Sequence, residues 1–341
     1  MNRSFSDGLR FISRITTRRF INAAGVLCSY YFARITGKAI HRGLPISISI
    51  EPTTSCNLRC PECPSGLRSF TRPTGMLNTE LYRKAIDELA PSLWYLILYF
   101  QGEPFLHPDF FNLVKYAAAK NIYTATSTNG HYLSESNADK IVQSGLDRLI
   151  ISIDGTTQET YESYRIGGKL EKVIEGTKRV VEAKKRLKSK TPHIIFQFLV
   201  VKHNEHQITE VKKLAAQLGV NETGFKTAQV YDYENGNELI PDNTKYSRYK
   251  KNGDGTYSVK NNYENNCWKL WHSAVITWDG TVVPCCFDKD AQNKMGSLTD
   301  TSFSDIWNNN LYRNFRESVV RSRKEIEMCK NCTEGTTIWA G

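Results

Sequence analysis

Between residues 46 and 231 the chain alternates short β-branched runs with longer stretches whose apolar residues recur at helical spacing. The strand candidates are 46–50, 94–100, 123–127, 148–153, 193–200 and 224–227. Helical periodicity follows over 79–90, 109–120, 135–144, 157–188 with a break at Gly167-Gly168, and 205–218. Six strands with helical stretches between them predict an α/β fold built on a parallel sheet.

The pattern changes on either side of this body. Segment 232–265 is rich in Asn, Asp, Gly, Lys and Tyr, and the NGDG run at 252–255 predicts a turn, so a linker or small β insertion belongs there. Residues 266–341 offer short strands at 274–278 and 281–284 around Asp279-Gly280, then a helix near 302–321. This small α+β module is too short and irregular for a large core, and its four spaced cysteines are expected to staple it. Residues 1–45 form a basic amphipathic extension. Within it an uncharged stretch of 14 residues, Phe20 to Ala33, lies between Arg18, Arg19 and Arg34. It is short of the ~20 residues that span a bilayer. Leu27 before Cys28, and the absence of a signal-peptide opening, argue against export. Its apolar residues form no clean stripe, which leaves two readings: a helix packed on the barrel's open edge or bottom, or one lying in the interface of an anionic membrane.

Composition narrows the function classes. A chain of 341 residues suits about two domains, and 40% hydrophobic with 11% aromatic residues excludes a disordered chain. The net charge of +10 is concentrated at the start: residues 1–45 hold eight basic residues (Arg3, Arg10, Arg14, Arg18, Arg19, Arg34, Lys38, Arg42) against Asp7 alone. With the body nearly balanced and no RNA-binding signature, no nucleic-acid partner is expected. Nine cysteines fall in two groups with two left over, which suits metal or cluster ligation in a reducing compartment, the cytoplasm, with peripheral contact at the membrane's inner face as the second reading of the extension.

Directly after the first strand the sequence SISIEPTTSCNLRCPECPSG places Cys56, Cys60 and Cys63 in a CxxxCxxC pattern. Pro61 and Pro64 keep this loop from becoming regular helix. A structural zinc site normally closes with four ligands, whereas a cubane held by three cysteines keeps one iron open. No fourth nearby Cys or His completes the loop. On these residues the chain, over about 46–230, resembles the radical SAM superfamily. The resemblance implies a partial (β/α)6 TIM-type barrel, a 4Fe-4S cluster on Cys56, Cys60 and Cys63, and bound S-adenosylmethionine (SAM). It also implies SAM contacts. Gln101-Gly102-Glu103-Pro104 looks like the family's GGEP motif, with Glu103 accepting from the SAM ammonium and Gly102 admitting the backbone. Gln101 departs from the usual first glycine. Ser127, Asn129, Ser152 and Asp154, at successive strand ends, would lie near the SAM ribose and carboxylate, and Arg165 near that carboxylate. Glu62 stands where many members carry an aromatic that packs on the adenine.

In the tail, Cys267, twelve residues, Gly280, four residues and Cys285 precede Cys329-Lys330-Asn331-Cys332. This resembles the SPASM and Twitch modules, which carry auxiliary iron-sulfur clusters. A complete SPASM module has seven cysteines; the four that fit here imply a single auxiliary 4Fe-4S cluster. On spacing alone a zinc ribbon competes. The adjacent Cys286 reads as a buried thiol.

The resemblance implies an enzyme that reductively cleaves SAM to a 5'-deoxyadenosyl radical and abstracts hydrogen from a small-molecule or peptide substrate. An external one-electron reductant such as flavodoxin or ferredoxin is implied, and the auxiliary cluster would accept the substrate electron, making the net reaction a dehydrogenase-like oxidation. No catalytic acid or base can be named. The alternatives are a peptide- or protein-modifying SPASM maturase and a non-catalytic iron-sulfur or zinc protein. The missing second auxiliary site argues against sulfatase maturation, and the short extension argues weakly against a leader-peptide domain.

Overall fold

The computed structural model describes residues 5–336 and 338; Arg3 lies outside them. The chain opens with two helices, α1 (Phe5–Ser13) and α2 (Thr17–Thr36). The Thr16 side chain accepts from the Arg19 backbone N–H at the start of α2, and Gly37, at φ 69°, ends it. The βα body follows: β1 (Ser47–Ile50), α3 (Pro64–Leu67), α4 (Thr79–Leu89), β2 (Tyr95–Ile97), α5 (Phe110–Ala119), β3 (Tyr123–Thr128), α6 (Glu135–Gln143), β4 (Arg148–Ser152), α7 (Gln158–Tyr164), α8 (Leu170–Arg186), β5 (His193–Val200), α9 (Ile208–Leu218) and β6 (Glu222–Thr227). Neighbouring strands from β1 to β6 all pair in parallel. The strand expected over 94–100 is shorter, because Leu98 donates to Ala125 and the chain then leaves the ladder toward Gly102.

The insertion forms a two-stranded antiparallel hairpin, β7 (Tyr249–Lys251) with β8 (Tyr257–Val259). The tail supplies α10 (Trp268–His272), β9 (Ser273–Ile276), β10 (Thr281–Val283), β11 (Gly296–Ser297), α11 (Phe303–Asn308), α12 (Asn310–Ser322) and α13 (Glu327–Lys330). Two expectations change here. The single helix near 302–321 is broken at Asn309, whose side chain accepts from the Tyr312 N–H and so starts a second helix. The tail also does not depend on cysteine staples alone. Strand β9 lies parallel to β1, with Ser47 opposite Ser273 and Ile50 opposite Ile276, so one nine-stranded sheet runs β11-β10-β9-β1-β2-β3-β4-β5-β6.

A buried ion pair locks the same junction. Glu51, wholly buried, receives Arg72 Nη1 at 2.8 Å and Nη2 at 2.6 Å, and also the Trp278 N–H from the tail at 3.2 Å.

Helix α1 covers the N-terminal ends of the strands. The Phe11 ring meets Trp94, Tyr95 and Tyr123 at 5.3–6.0 Å between centroids. Buried Asp7 pairs with the Tyr123 hydroxyl and with Arg148. Buried Arg19 donates to the carbonyls of Ala90, Lys120 and Asn121, which lie just past α4 and α5 and would otherwise be unmet. On α2, Tyr30 stacks edge-on against Trp268 and Trp271 and donates to Asn266. The expected absence of a clean apolar stripe is corrected. Val26, Tyr30 and Ala33 point inward, while Phe20, Ile21, Tyr31, Phe32 and Ile35 are exposed on another face. Two apolar faces on one helix hide each other in a linear reading.

Candidate active site and auxiliary cysteine site

Cys56, Cys60 and Cys63 lie on the loop between β1 and α3, at the C-terminal end of a parallel strand, where catalytic loops of βα barrels gather. Cys60 is 5% exposed, and the other two are half-buried. Burial pushes the Cys56 thiol up to about 11 and raises Cys60 as well, although the Arg165 charge opposes the rise at Cys60. These thiols therefore stay protonated unless a cation takes the place of the proton.

The QGEP loop is pressed against the cysteine loop. Gly102 has φ +74°, and a β-carbon there would stand 2.2 Å from the Thr53 carbonyl, so only glycine fits. Its N–H donates to Ser65 Oγ, and the Glu103 N–H donates to the Ser55 carbonyl at 2.7 Å. The Glu103 carboxylate, 1% exposed, accepts from Phe105 N–H at 3.2 Å, Thr128 Oγ1 at 2.7 Å and Asn129 N–H at 2.8 Å. It thus ties the end of β3 to the loop after β2. Burial outweighs these donors and pushes its pKa up to about 7. Pro104 begins the short turn that follows.

Asn129 reaches the cysteine loop, donating to Asn57 Oδ1 at 2.8 Å with Cys56 Sγ at 3.9 Å. Asp154, fully buried, pairs with Arg165 Nε and accepts from the Leu199 N–H at 2.7 Å. Arg165 Nη1 in turn lies 3.8 Å from Cys60 Sγ. The pair expected to serve SAM separately is therefore joined, with the arginine aimed at a candidate cluster thiolate. Ser127 sits opposite Ile150 in the sheet, and Ser152 continues the inward register of Arg148 and Ile150. Glu62 accepts from the Tyr231 N–H and so fastens the cysteine loop to the segment after β6. Asn57, Ser65 and Thr128 were not singled out by sequence reasoning. For Thr128, its place beside Asn129 in the STNG run at the end of β3 was the available signal.

A cavity of about 320 Å³ fills the barrel interior, lined by inward residues such as Ser49, Tyr99, Gln197 and Lys226 and by Lys269, Cys285 and Cys286 from the tail. Cys56, Glu103, Asn129 and Asp154 are not among its walls. In the tail, Cys267, Cys285, Cys329 and Cys332 border one smaller cavity beside buried Arg323, whose Nη2 lies 3.3 Å from Cys332 Sγ. Cys285 borders both spaces. Cys286 is not a buried thiol, as expected above; it is exposed, lining the barrel cavity 4.0 Å from Lys269 Nζ. Both cysteines follow the end of β10 in irregular chain and both face the barrel cavity, and of the two Cys285 also borders the smaller space.

With this geometry in place, comparison with known proteins is informative. The profile of the radical SAM superfamily matches residues 50–215, and that of the SPASM iron-sulfur cluster-binding domain matches residues 267–333. The chain belongs to the radical SAM superfamily. It is 31% identical over 176 residues to the AdoMet-dependent heme synthase of Methanosarcina barkeri, a match covering 51% of this chain and 48% of that relative. It is 27% identical over 317 residues to the PqqA peptide cyclase of Gluconobacter oxydans, covering 87% of this chain and 85% of the relative. Among solved structures, Streptococcus suis SuiB bound to S-adenosylmethionine shares the fold, with a TM-score of 0.64 at 15% identity over 86% of this chain and 73% of that one.

This radical SAM protein accordingly uses a 4Fe-4S cluster, SAM and auxiliary iron-sulfur binding in its SPASM domain. Its donor set suits them. Among the described residues no three Cys, His, Asp or Glu side chains are drawn together as a single metal ion requires. The four tail thiols border one shared space, and four is the number of thiolates that a fully ligated cubane takes.

Proposed function

We propose that this SPASM-containing radical SAM enzyme oxidises a side chain of a peptide or protein, the electron leaving through the tail cysteine site. The reading is carried by Cys285, which borders both the barrel cavity and the space among Cys267, Cys329 and Cys332. Substrate in the barrel would then be one residue away from an electron acceptor. A peptide is favoured over a free small molecule because one relative that aligns along most of this chain is a cyclase of the PqqA peptide.

In this reading Cys56, Cys60 and Cys63 hold the SAM-binding cluster, and Cys267, Cys285, Cys329 and Cys332 the auxiliary one. When bound, the first cluster and SAM supply reductive cleavage and hydrogen abstraction. The chain's own residues position and shield. Arg165, held by Asp154, sets positive charge at Cys60. Gly102 lets the loop backbone approach, and Ser127, Asn129 and Ser152 offer polar groups at strand ends. Lys269, paired with Glu334, places a fixed cation beside Cys286 at the cavity wall. The reductant is a one-electron carrier of the flavodoxin or ferredoxin class, and the reducing cytoplasm suits nine free thiols.

The test uses reconstituted holoenzyme with dithionite, SAM and a peptide pool from its own host. The expected outcome is peptide-stimulated 5'-deoxyadenosine and a peptide product lighter by two hydrogens. Cys329→Ala should keep deoxyadenosine formation and lose that product. Unchanged product in the variant, or stimulation by a peptide-free metabolite pool alone, defeats the reading.

Glu103 makes a second prediction. If its carboxylate, at about 7 in the free chain, meets the SAM ammonium, binding lowers its pKa and releases a proton. SAM affinity should therefore rise with pH up to about 7 and then level off. Titration calorimetry in two buffers of different ionisation enthalpy should show this release, and Glu103→Gln should abolish it. Equal release from the variant would assign the proton elsewhere.

A further inference from the structure

Helix α2 has two apolar faces, and one of them has no partner within the described residues. Its inner face packs on Trp268 and Trp271 through Tyr30. Its outer residues Phe20, Ile21, Ala24, Tyr31, Phe32 and Ile35 fall, at 100° per residue, within an arc of about 120°. All six are exposed; Phe20 is 61% and Ile35 83% exposed. The stripe runs for roughly 22 Å at 1.5 Å per residue. Helix α1 repeats the arrangement, with Phe5, Leu9 and Ile12 at i, i+4 and i+7 all exposed while Asp7 is buried. Single exposed apolar residues need no explanation, but two successive helices that each bury a charged residue, Asp7 in α1 and Arg19 in α2, and present apolar stripes outward do. Among the described residues no helix is long and apolar enough to cross a membrane.

Charge decides what covers the stripe. Helix α2 contains no Asp or Glu, and Arg18 and Arg34 flank the arc on its two sides, with Lys38 and Arg42 following. Just past its end opens a groove of about 670 Å³ lined by Lys38, Arg313, Arg316 and Arg321, with Glu317 the acid among its walls. Arg316 is 2% exposed, stacked on Trp307 and Tyr312, and its Nε and Nη2 have no hydrogen-bond partner among the described residues. A second copy laid on the α2 face would bring no acid from its own α2 to meet Arg18 and Arg34, since the helix has none. A surface that is apolar beneath and anionic at its rim satisfies both the stripe and its flanks. We propose that α1 and α2 dock this enzyme in the plane of an anionic lipid bilayer, apolar stripe in the acyl boundary and arginines at the headgroup phosphates.

The test sediments the full-length holoenzyme with vesicles of phosphatidylcholine, either alone or with about 30% phosphatidylglycerol, at about 0.1 M salt. Binding is expected to be at least ~10-fold stronger to the anionic vesicles and to weaken as salt rises. Phe20→Ser with Ile35→Ser should reduce it by at least ~10-fold, because two buried apolar side chains are lost. Arg18→Glu should weaken binding to anionic vesicles only. Both substituted sites are exposed, so iron content and thermal unfolding should match the parent. Equal binding to neutral and anionic vesicles, no binding, or binding that survives the double substitution overturns the proposal. So does a concentration-dependent dimer that the double substitution abolishes, which would assign the stripe to a second copy.

Discussion

Cys60→Ala is expected to lower iron from about eight to about four per chain and to cut 5'-deoxyadenosine formation by at least ~10³-fold. Cys60 is the most buried of the three loop cysteines and has the Arg165 guanidinium at its sulfur. Removing it leaves two thiols whose surroundings cannot hold a cubane, and Cys56, with burial raising its pKa to about 11, has no further cation to take its proton. The substitution also leaves Arg165 facing an empty site, although Asp154 still neutralises it. Because the tail cysteines border their own cavity, their irons should remain, visible as an unchanged signal from the auxiliary cluster. Cys28→Ala is the matching control: Cys28 is exposed on α2 and belongs to neither cysteine group, and its loss should change neither iron nor rate. Retention of about eight irons by Cys60→Ala would remove it from the ligand set.

The parts of this molecule that were legible in the sequence are those governed by local pattern. Each barrel strand is a β-branched run whose position depends on residues within a few places of it, and the break at Gly167-Gly168 separates α7 from α8 as its glycines demand. The CxxxCxxC loop was legible because three thiols within eight positions constrain the chemistry whatever the fold. What was not legible depends on distant partners. Nothing in residues 273–276 says that they will lie parallel to β1, more than two hundred positions earlier. Glu103 reads as a ligand group from its motif, yet only the assembled sheet shows that Thr128 and Asn129 already meet it. The two faces of α2 failed for the opposite reason: both are apolar, so periodicity could not assign an inside.

Arg72→Ala should destabilise the folded chain by ~3–5 kcal/mol at neutral pH, because it strands a buried carboxylate. Arg72 meets both oxygens of Glu51, and its guanidinium lies over the rings of Phe70 and Phe100. It also donates to the Lys289 carbonyl, while Asp290 receives the backbone N–H groups of Thr71 and Arg72. The pair therefore binds three things at once: the end of β1, the loop after the cysteines and the tail. Even with Arg72 present, burial raises the Glu51 pKa above its ordinary value of 4.5. Such a group holds its proton longer in the folded chain than in the unfolded one, so its contribution declines as pH rises above about 4.5. Without Arg72 the folded pKa climbs further. The deficit of the variant should then be smallest well below pH 4.5, where the carboxyl is largely neutral in both states, and grow toward pH 8. Denaturant midpoints measured across that range check the sign. Adding Glu51→Gln to Arg72→Ala should recover part of the loss at pH 8 and flatten the pH dependence, since no charge is left to strand. If the single variant instead loses the same stability at every pH, its loss lies in packing against Phe70 and Phe100 rather than in the buried charge.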